Sequence, residues 1–197
     1  MNDPAAVSRP PRFPITRLWL ISCGELEDTS FLPDFTGHTD PGLSRLGRRQ
    51  AVAIGKELAA IATPQVAAVY ASPLAAAQTT AALVADALGL EGVETHDALV
   101  TVMPEQLSPG RDGSAALSMI QERAWALVEA LKERHPPDVS LILVSHELPI
   151  RAMIGRALSL PIEDVTRFEV EAGSISAIEF RGPRTILAVL NDVCHLR

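Results

Sequence analysis

The sequence predicts a three-layer αβα sandwich around a mostly parallel sheet, closed by an antiparallel strand pair near the C-terminus. Three observations carry this. Short apolar runs alternate with helical patterns along the chain. The run VSLILVS (139–145) is apolar throughout, as a central parallel strand buried on both faces must be. SISAIEF and TILAVLN face each other across RGPR, the arrangement of a hairpin.

Taken in order, MNDPAAVSRPPRFP is rich in proline and lacks an apolar signal core, so residues 1–14 read as a flexible lead-in. One domain then spans 15–197, a length and composition (47% hydrophobic, 21% charged) suited to a sizeable core. ITRLWLIS (15–22) is the first strand. Residues 23–42, rich in Gly, Pro, Asp and Thr, form a long loop. LSRLGRRQAVAIGKELAAIA (43–62) is an amphipathic helix burying Leu43, Leu46, Ile54, Leu58 and Ile61. QVAAVYAS (65–72) is the second strand. Pro73 opens a helix with Leu74, Ala77, Ala81, Val84 and Leu88 on one face. Residues 97–113 show no period and read as a loop or lid. Helix 114–134 turns Leu117, Ile120, Ala124, Leu127 and Leu131 inward, and ELPIRAMIGRALSL follows the 139–145 strand as a helix.

The same composition excludes several functions. The net charge is -7, Lys and Arg are dispersed, and aromatics are 4%, which argues against nucleic acid as a partner. No apolar stretch approaches the ~20 residues that a bilayer requires, so no membrane partner is expected. Cys23 and Cys194 have no framework spacing and suit a reducing cytoplasm. No G-x-G-x-x-G or P-loop pattern is present, and no cofactor is expected. Cys23, His38, His146 and Glu147 can be written as a metal set, but no close ligand pair supports it, so no metal is assigned.

The chemically pointed stretch is RLWLISCGELED (17–28). An apolar strand breaks at Gly24 and leaves Cys23 at its carboxyl end, where α/β proteins build sites. In isolation Cys23 is either a small buried hydrophobe or a reactive thiol. His146, inside Ser145-His146 after the apolar 139–145 strand, is either a bystander or a base for that thiol. Arg151 reads as structural, paired with an acid, and Cys194 as a packed terminal residue.

Four stretches, in order, resemble the histidine phosphatase superfamily, the phosphoglycerate-mutase-like phosphatases. They are DPGLSRLGRRQA (40–51), YASPLAAAQTTAALVADALGL (70–90), LVSHELPIRAMIGRALSLP (143–161) and LNDVCHL (190–196). The resemblance runs from about Arg17 to Leu196 and implies a phosphoglycerate-mutase-like fold, with dimers common. It also implies phosphoryl transfer through a phosphohistidine, with two arginines, a second histidine and an asparagine around the phosphate and a carboxylic acid for the leaving group. On that pattern the Arg-His-Gly-Glu motif is here Ser22-Cys23-Gly24-Glu25. Thr29 stands at the asparagine position, Ala76 at the second arginine and Thr101 at the acid. His146 is retained, followed by Glu147 in place of glycine.

These exchanges set the functional expectation. Each charge-assisted hydrogen bond to an anion is worth ~1.5–3 kcal/mol, so losing two bidentate arginines removes several decades of phosphate affinity. Phosphatase or mutase activity is therefore not expected. A pseudophosphatase that binds a small molecule or a protein is the first reading; Cys23 working with His146 on a non-phosphate small molecule is the alternative. Ser22, Glu25 (in a structural role), Thr29, Ala76, Thr101 and Glu147 are expected to line the pocket, and the Cys23 thiol, without the arginines, to titrate nearer the free value of ~8.5 than a tuned thiolate does, unless His146 approaches and lowers it. The sequence leaves the oligomeric state open, with a homodimer the assembly that the resemblance allows.

Overall fold

The structure, a computed structural model, describes residues 13–27, 40–101 and 113–197. Six strands form one sheet: β1 (Ile15–Ser22), β2 (Val66–Ala71), β3 (Glu94–Thr95), β4 (Ser140–Ser145), β5 (Ile175–Arg181) and β6 (Arg184–Asp192). Their spatial order is β3-β2-β4-β1-β5-β6. The β3-β2-β4-β1 block is parallel, and β5 and β6 are antiparallel. This is the expected sheet. All six residues of β4 are buried, because helices cover both of its faces.

Alternation along β1 divides the core. Trp19 and Ile21 point to the side covered by α1 (Arg45–Ile61) and α2 (Ala75–Leu88). Leu18 and Leu20 point to the side covered by α3 (Gly113–Arg134) and α4 (Glu147–Ala157). Fully burying such a side chain contributes about 1.5–3 kcal/mol. Glu179 on β5 is a buried acid, 1% exposed. Burial pushes its carboxyl up, but bonds from Arg17 and Arg181 outweigh that and hold it below the usual range.

Several expectations need correction. Leu46 and Ile61 are exposed, at 40% and 39%. The buried face of α1 is instead Gly47, Ala51, Ile54, Gly55 and Leu58, since α1 lies very close to α2. A Cβ on Gly55 would stand 2.7 Å from Ala87 Cβ, so bulky apolar residues are kept off that line. Within 97–113, residues Asp97–Leu99 form a short 3-10 helix rather than loop, and 102–112 lie outside the described residues. So do residues 1–12 of the lead-in. The two-residue β3 and the 3-10 turns at Ile162–Arg167 and Cys194–Leu196 are further elements.

The loop leaving β1 is fixed to α1 by two glycines. A Cβ on Gly24 would meet Gly47 O at 2.4 Å, and one on Gly47 would meet Glu25 O at 2.1 Å. Backbones pass here where no side chain fits. Gly47→Ala is expected to cost about 2 kcal/mol or more in chemical denaturation, at the upper end for overpacking. A loss below about 0.5 kcal/mol, the usual size for a surface change, would show that this contact is loose.

Candidate functional site

Parallel pairing delivers the site residues. Ser22 pairs with Ser145, and Ala71 with Val144, so β1, β4 and β2 end at one edge of the sheet. The next residues continue the ladder: Cys23 N donates to Ser145 O at 2.9 Å, and Ser72 N to Val144 O at 3.0 Å. Cys23, His146 and Ser72 therefore meet at the carboxyl end of the parallel block.

His146 sits between the other two. Its Nδ1 lies 3.6 Å from Cys23 Sγ, and its Nε2 lies 3.0 Å from Ser72 Oγ. A neutral imidazole carries one N–H, so it donates to one neighbour and accepts from the other. Cys23 is 7% exposed and packs in the α1/α2-side core with Ala76. Burial pushes its thiol up to about 11. Burial likewise lowers His146 to about 4, against a small upward pull from Asp40. The thiol is thus not depressed as in a tuned site, His146 does not lower it, and desolvation carries it above the free value. An ion pair would need the thiol to be the stronger acid, and the order here is the reverse. The set is neutral at pH 7.

Of the other expected lining residues, Ser22 is buried and its N–H donates to Ser174 O at 3.1 Å. Ala76 is buried in the first turn of α2. Its carbonyl accepts from Thr80 Oγ1 at 2.8 Å, and Thr80 Oγ1 accepts from Gly24 N at 3.2 Å, tying α2 to the Cys23 loop. Glu25 is engaged elsewhere: its carboxylate accepts from Ser44 Oγ at 2.7 Å, supporting the N-cap of α1. Thr101 is half-buried just beyond Leu99, whose carbonyl accepts from Ser145 Oγ at 2.7 Å. Glu147 is exposed in the first turn of α4 and pairs with Arg151 at 2.9 Å. Arg151 has the acidic partner expected of it. Thr29 and His38 lie outside the described residues. Cys194 is exposed rather than packed, because it lies in a 3-10 turn none of whose residues is buried.

Two contributors escaped the sequence reading. Ser72 belongs to the Ser-Pro-Leu stretch and could have been found there. Asp40 has a longer reach. Both of its carboxylate oxygens accept from Ala75 N at 2.9 Å, so a carboxylate already occupies the N-terminus of α2. That terminus and the α4 terminus at His146 follow adjacent strands β2 and β4. Helix N-termini favour anions, and both of these carry a carboxylate of the chain itself, Asp40 and Glu147. Among the described residues, no guanidinium or ammonium is hydrogen-bonded to Cys23, His146 or Ser72. No helix among them is long and apolar enough to cross a membrane.

Comparison with known proteins gives a consistent picture. A family model for the histidine phosphatase superfamily (branch 1) matches residues 18–103 and 102–193. Phosphoserine phosphatase 1 of Hydrogenobacter thermophilus is 26% identical over 186 residues, which cover 82% of this chain and 86% of that protein. Among solved structures, YhfR of Bacillus stearothermophilus superposes with a TM-score of 0.74 at 20% identity, covering 92% of this chain and 100% of that one. A mycobacterial glucosyl-3-phosphoglycerate phosphatase does so with a TM-score of 0.69 at 22% identity, covering 92% and 99%.

Two measurements follow from the neutral pair. Alkylation of Cys23 by iodoacetamide should be slow at pH 7 and rise about tenfold per pH unit to pH 10 with no inflection. An inflection below pH 8 that His146→Ala removes would establish a thiolate–imidazolium pair instead. His146 also shapes acid stability. Its folded value lies below its unfolded one of 6.5, so its contribution is complete above about pH 6.5 and is lost as pH falls towards 4. His146→Gln should flatten this limb, by about 3 kcal/mol at most, in denaturation midpoints between pH 7 and 4. An unchanged limb would place the titrating group elsewhere.

Proposed function

The chain belongs to the histidine phosphatase superfamily, and from that premise we propose that it has lost phosphohistidine chemistry and acts as a pseudophosphatase. The Cys23–His146–Ser72 set at the carboxyl end of the sheet then serves as a binding site for an uncharged or weakly charged small molecule or protein segment. The observation that carries this is the carboxylate of Asp40 on the N-terminus of α2, beside an uncharged Cys23–His146–Ser72 set. A phosphate needs cations on its oxygens and a nucleophile that is free to attack. Here Ser22 and Ala76 replace the arginines, Cys23 replaces the nucleophile, and Asp40 opposes an incoming anion.

The name of the Hydrogenobacter relative points towards phosphatase activity. Identity of 26% carries the fold and the order of the motifs, while activity depends on the residues at the reacting centre. Those are the ones exchanged.

A second reading rests on the 3.6 Å contact between Cys23 and His146. In it the thiol is the nucleophile or acid towards an uncharged substrate, and His146 takes or returns its proton. It requires an opening that hydrates the pair, because burial in the closed form disfavours both charges.

Incubation with p-nitrophenyl phosphate and with phosphoserine tests the first reading. Phosphate release should stay at the level of the buffer. Release that Cys23→Ala abolishes would restore phosphatase function and overturn the proposal.

A further inference from the structure

Away from Cys23, one face of α1 and His195 of the C-terminal turn line a shallow, open cleft of ≈ 660 Å³. Arg48, Arg49 and Lys56 line it together with Val52, Ala53 and His195. We propose that this cleft is a binding site for an organic diphosphate, with the anionic group on the three cations and an apolar ring over Val52 and Ala53.

The charges are free to act. Among the described residues, Arg48, Arg49 and Lys56 form no ion pair, although the chain as a whole carries a net charge of -7. Helix stability does not explain their placement. Arg45, Arg48 and Arg49 fall within the first five positions of α1, and its first turn holds no acid. Cations near the positive end of a helix are the unfavourable arrangement. The carboxylate already at that end, Glu25, is bonded by Ser44 Oγ at 2.7 Å, and among the described residues it forms no ion pair with Arg48, Arg49 or Lys56.

The dimensions indicate more than one phosphate. Arg48 and Lys56 are separated by about 12 Å of helix, a span that two flexible side chains close around a diphosphate more readily than around a single phosphate. Val52, 40% exposed, and Ala53 lie between them as an apolar floor. Glu57 bounds the far end and sets a limit on the negative charge the cleft accepts. The opposite wall is held in place: His195 Nε2 lies 3.0 Å from the Gly173 carbonyl, and Gly173 N donates to Cys23 O at 3.0 Å. Such a site shares no lining residue with the Cys23–His146–Ser72 set.

Titration calorimetry of the full chain, without divalent cations, tests this with pyrophosphate and with adenosine diphosphate as probes. One saturable site is expected, with adenosine diphosphate binding several-fold more tightly because its ring covers Val52 and Ala53. Arg48→Ala/Arg49→Ala, both exposed positions, should weaken both probes at least about tenfold, as loss of charge-assisted hydrogen bonds requires. Circular dichroism should remain unchanged, and Cys23→Ser should leave both affinities within about twofold, since it removes no group from the cleft. The proposal falls if neither probe binds up to about 5 mM, a weak limit for a designed anion site. It also falls if the double variant binds normally, if Cys23→Ser alone removes binding, or if both probes bind equally well. Tighter binding of a glutamate-rich peptide than of either probe would reassign the cleft to an acidic protein partner.

Discussion

The site depends on one ladder, the parallel pairing of β1 with β4. Ser22 lies opposite Ser145, and this register alone puts Cys23 beside His146. Register is strongly fixed here because both faces of both strands carry apolar side chains. Leu18, Leu20, Leu141 and Leu143 pack on one side, and Trp19, Ile21, Ile142 and Val144 on the other. A slip of one residue would exchange the two sets and leave each opposite the wrong helices. The hydrogen bond from Cys23 N to Ser145 O extends this order one step past the strand. Cys23 is therefore held as rigidly as a core residue, and it is buried like one.

That rigidity has an electrostatic consequence. A cysteine becomes reactive when cations, a protonated histidine or a helix N-terminus stabilise its thiolate. Here the candidate helix N-termini are engaged by Asp40 and Glu147, Glu147 is itself neutralised by Arg151, and the histidine is neutral. Desolvation then outweighs the opposing contributions at both members of the pair. A thiol and an imidazole stand in contact without the charge that would activate the thiol.

Much of the architecture was legible because it rests on periodicity. The first strand is found at its observed bounds, the apolar 139–145 run is a central strand, and the C-terminal hairpin turns at Gly182 and Pro183. What was not legible depends on close approach or on long-range contact. Small residues let α1 lie against α2 and expose Leu46 and Ile61, which a helical pattern alone assigns to the core. Asp40 reaches Ala75 across 35 residues, and no local pattern announces such a contact. The pairing of Cys23 with His146 was inferred from a resemblance, whereas the state of the pair follows from burial, which a sequence does not print.

The Cys23 set is uncharged and the cleft is lined mainly by cations, and the same helix connects them. At the start of α1, Ser44 caps the helix and is held by Glu25, in the loop that follows Cys23; further along, Arg48, Arg49 and Lys56 face the cleft. Gln50, between the arginines and Val52, accepts from Glu25 N at 2.8 Å. From the other side, His195 meets Gly173, and Gly173 meets Cys23. A ligand that fixed both walls of the cleft would thus steady the backbone on both sides of the Cys23 loop. Because Gly24 and Gly47 leave no space between that loop and α1, the two cannot shift independently. Whatever moves α1 by a few tenths of an ångström must move Cys23 with it, and close packing is what carries such a shift.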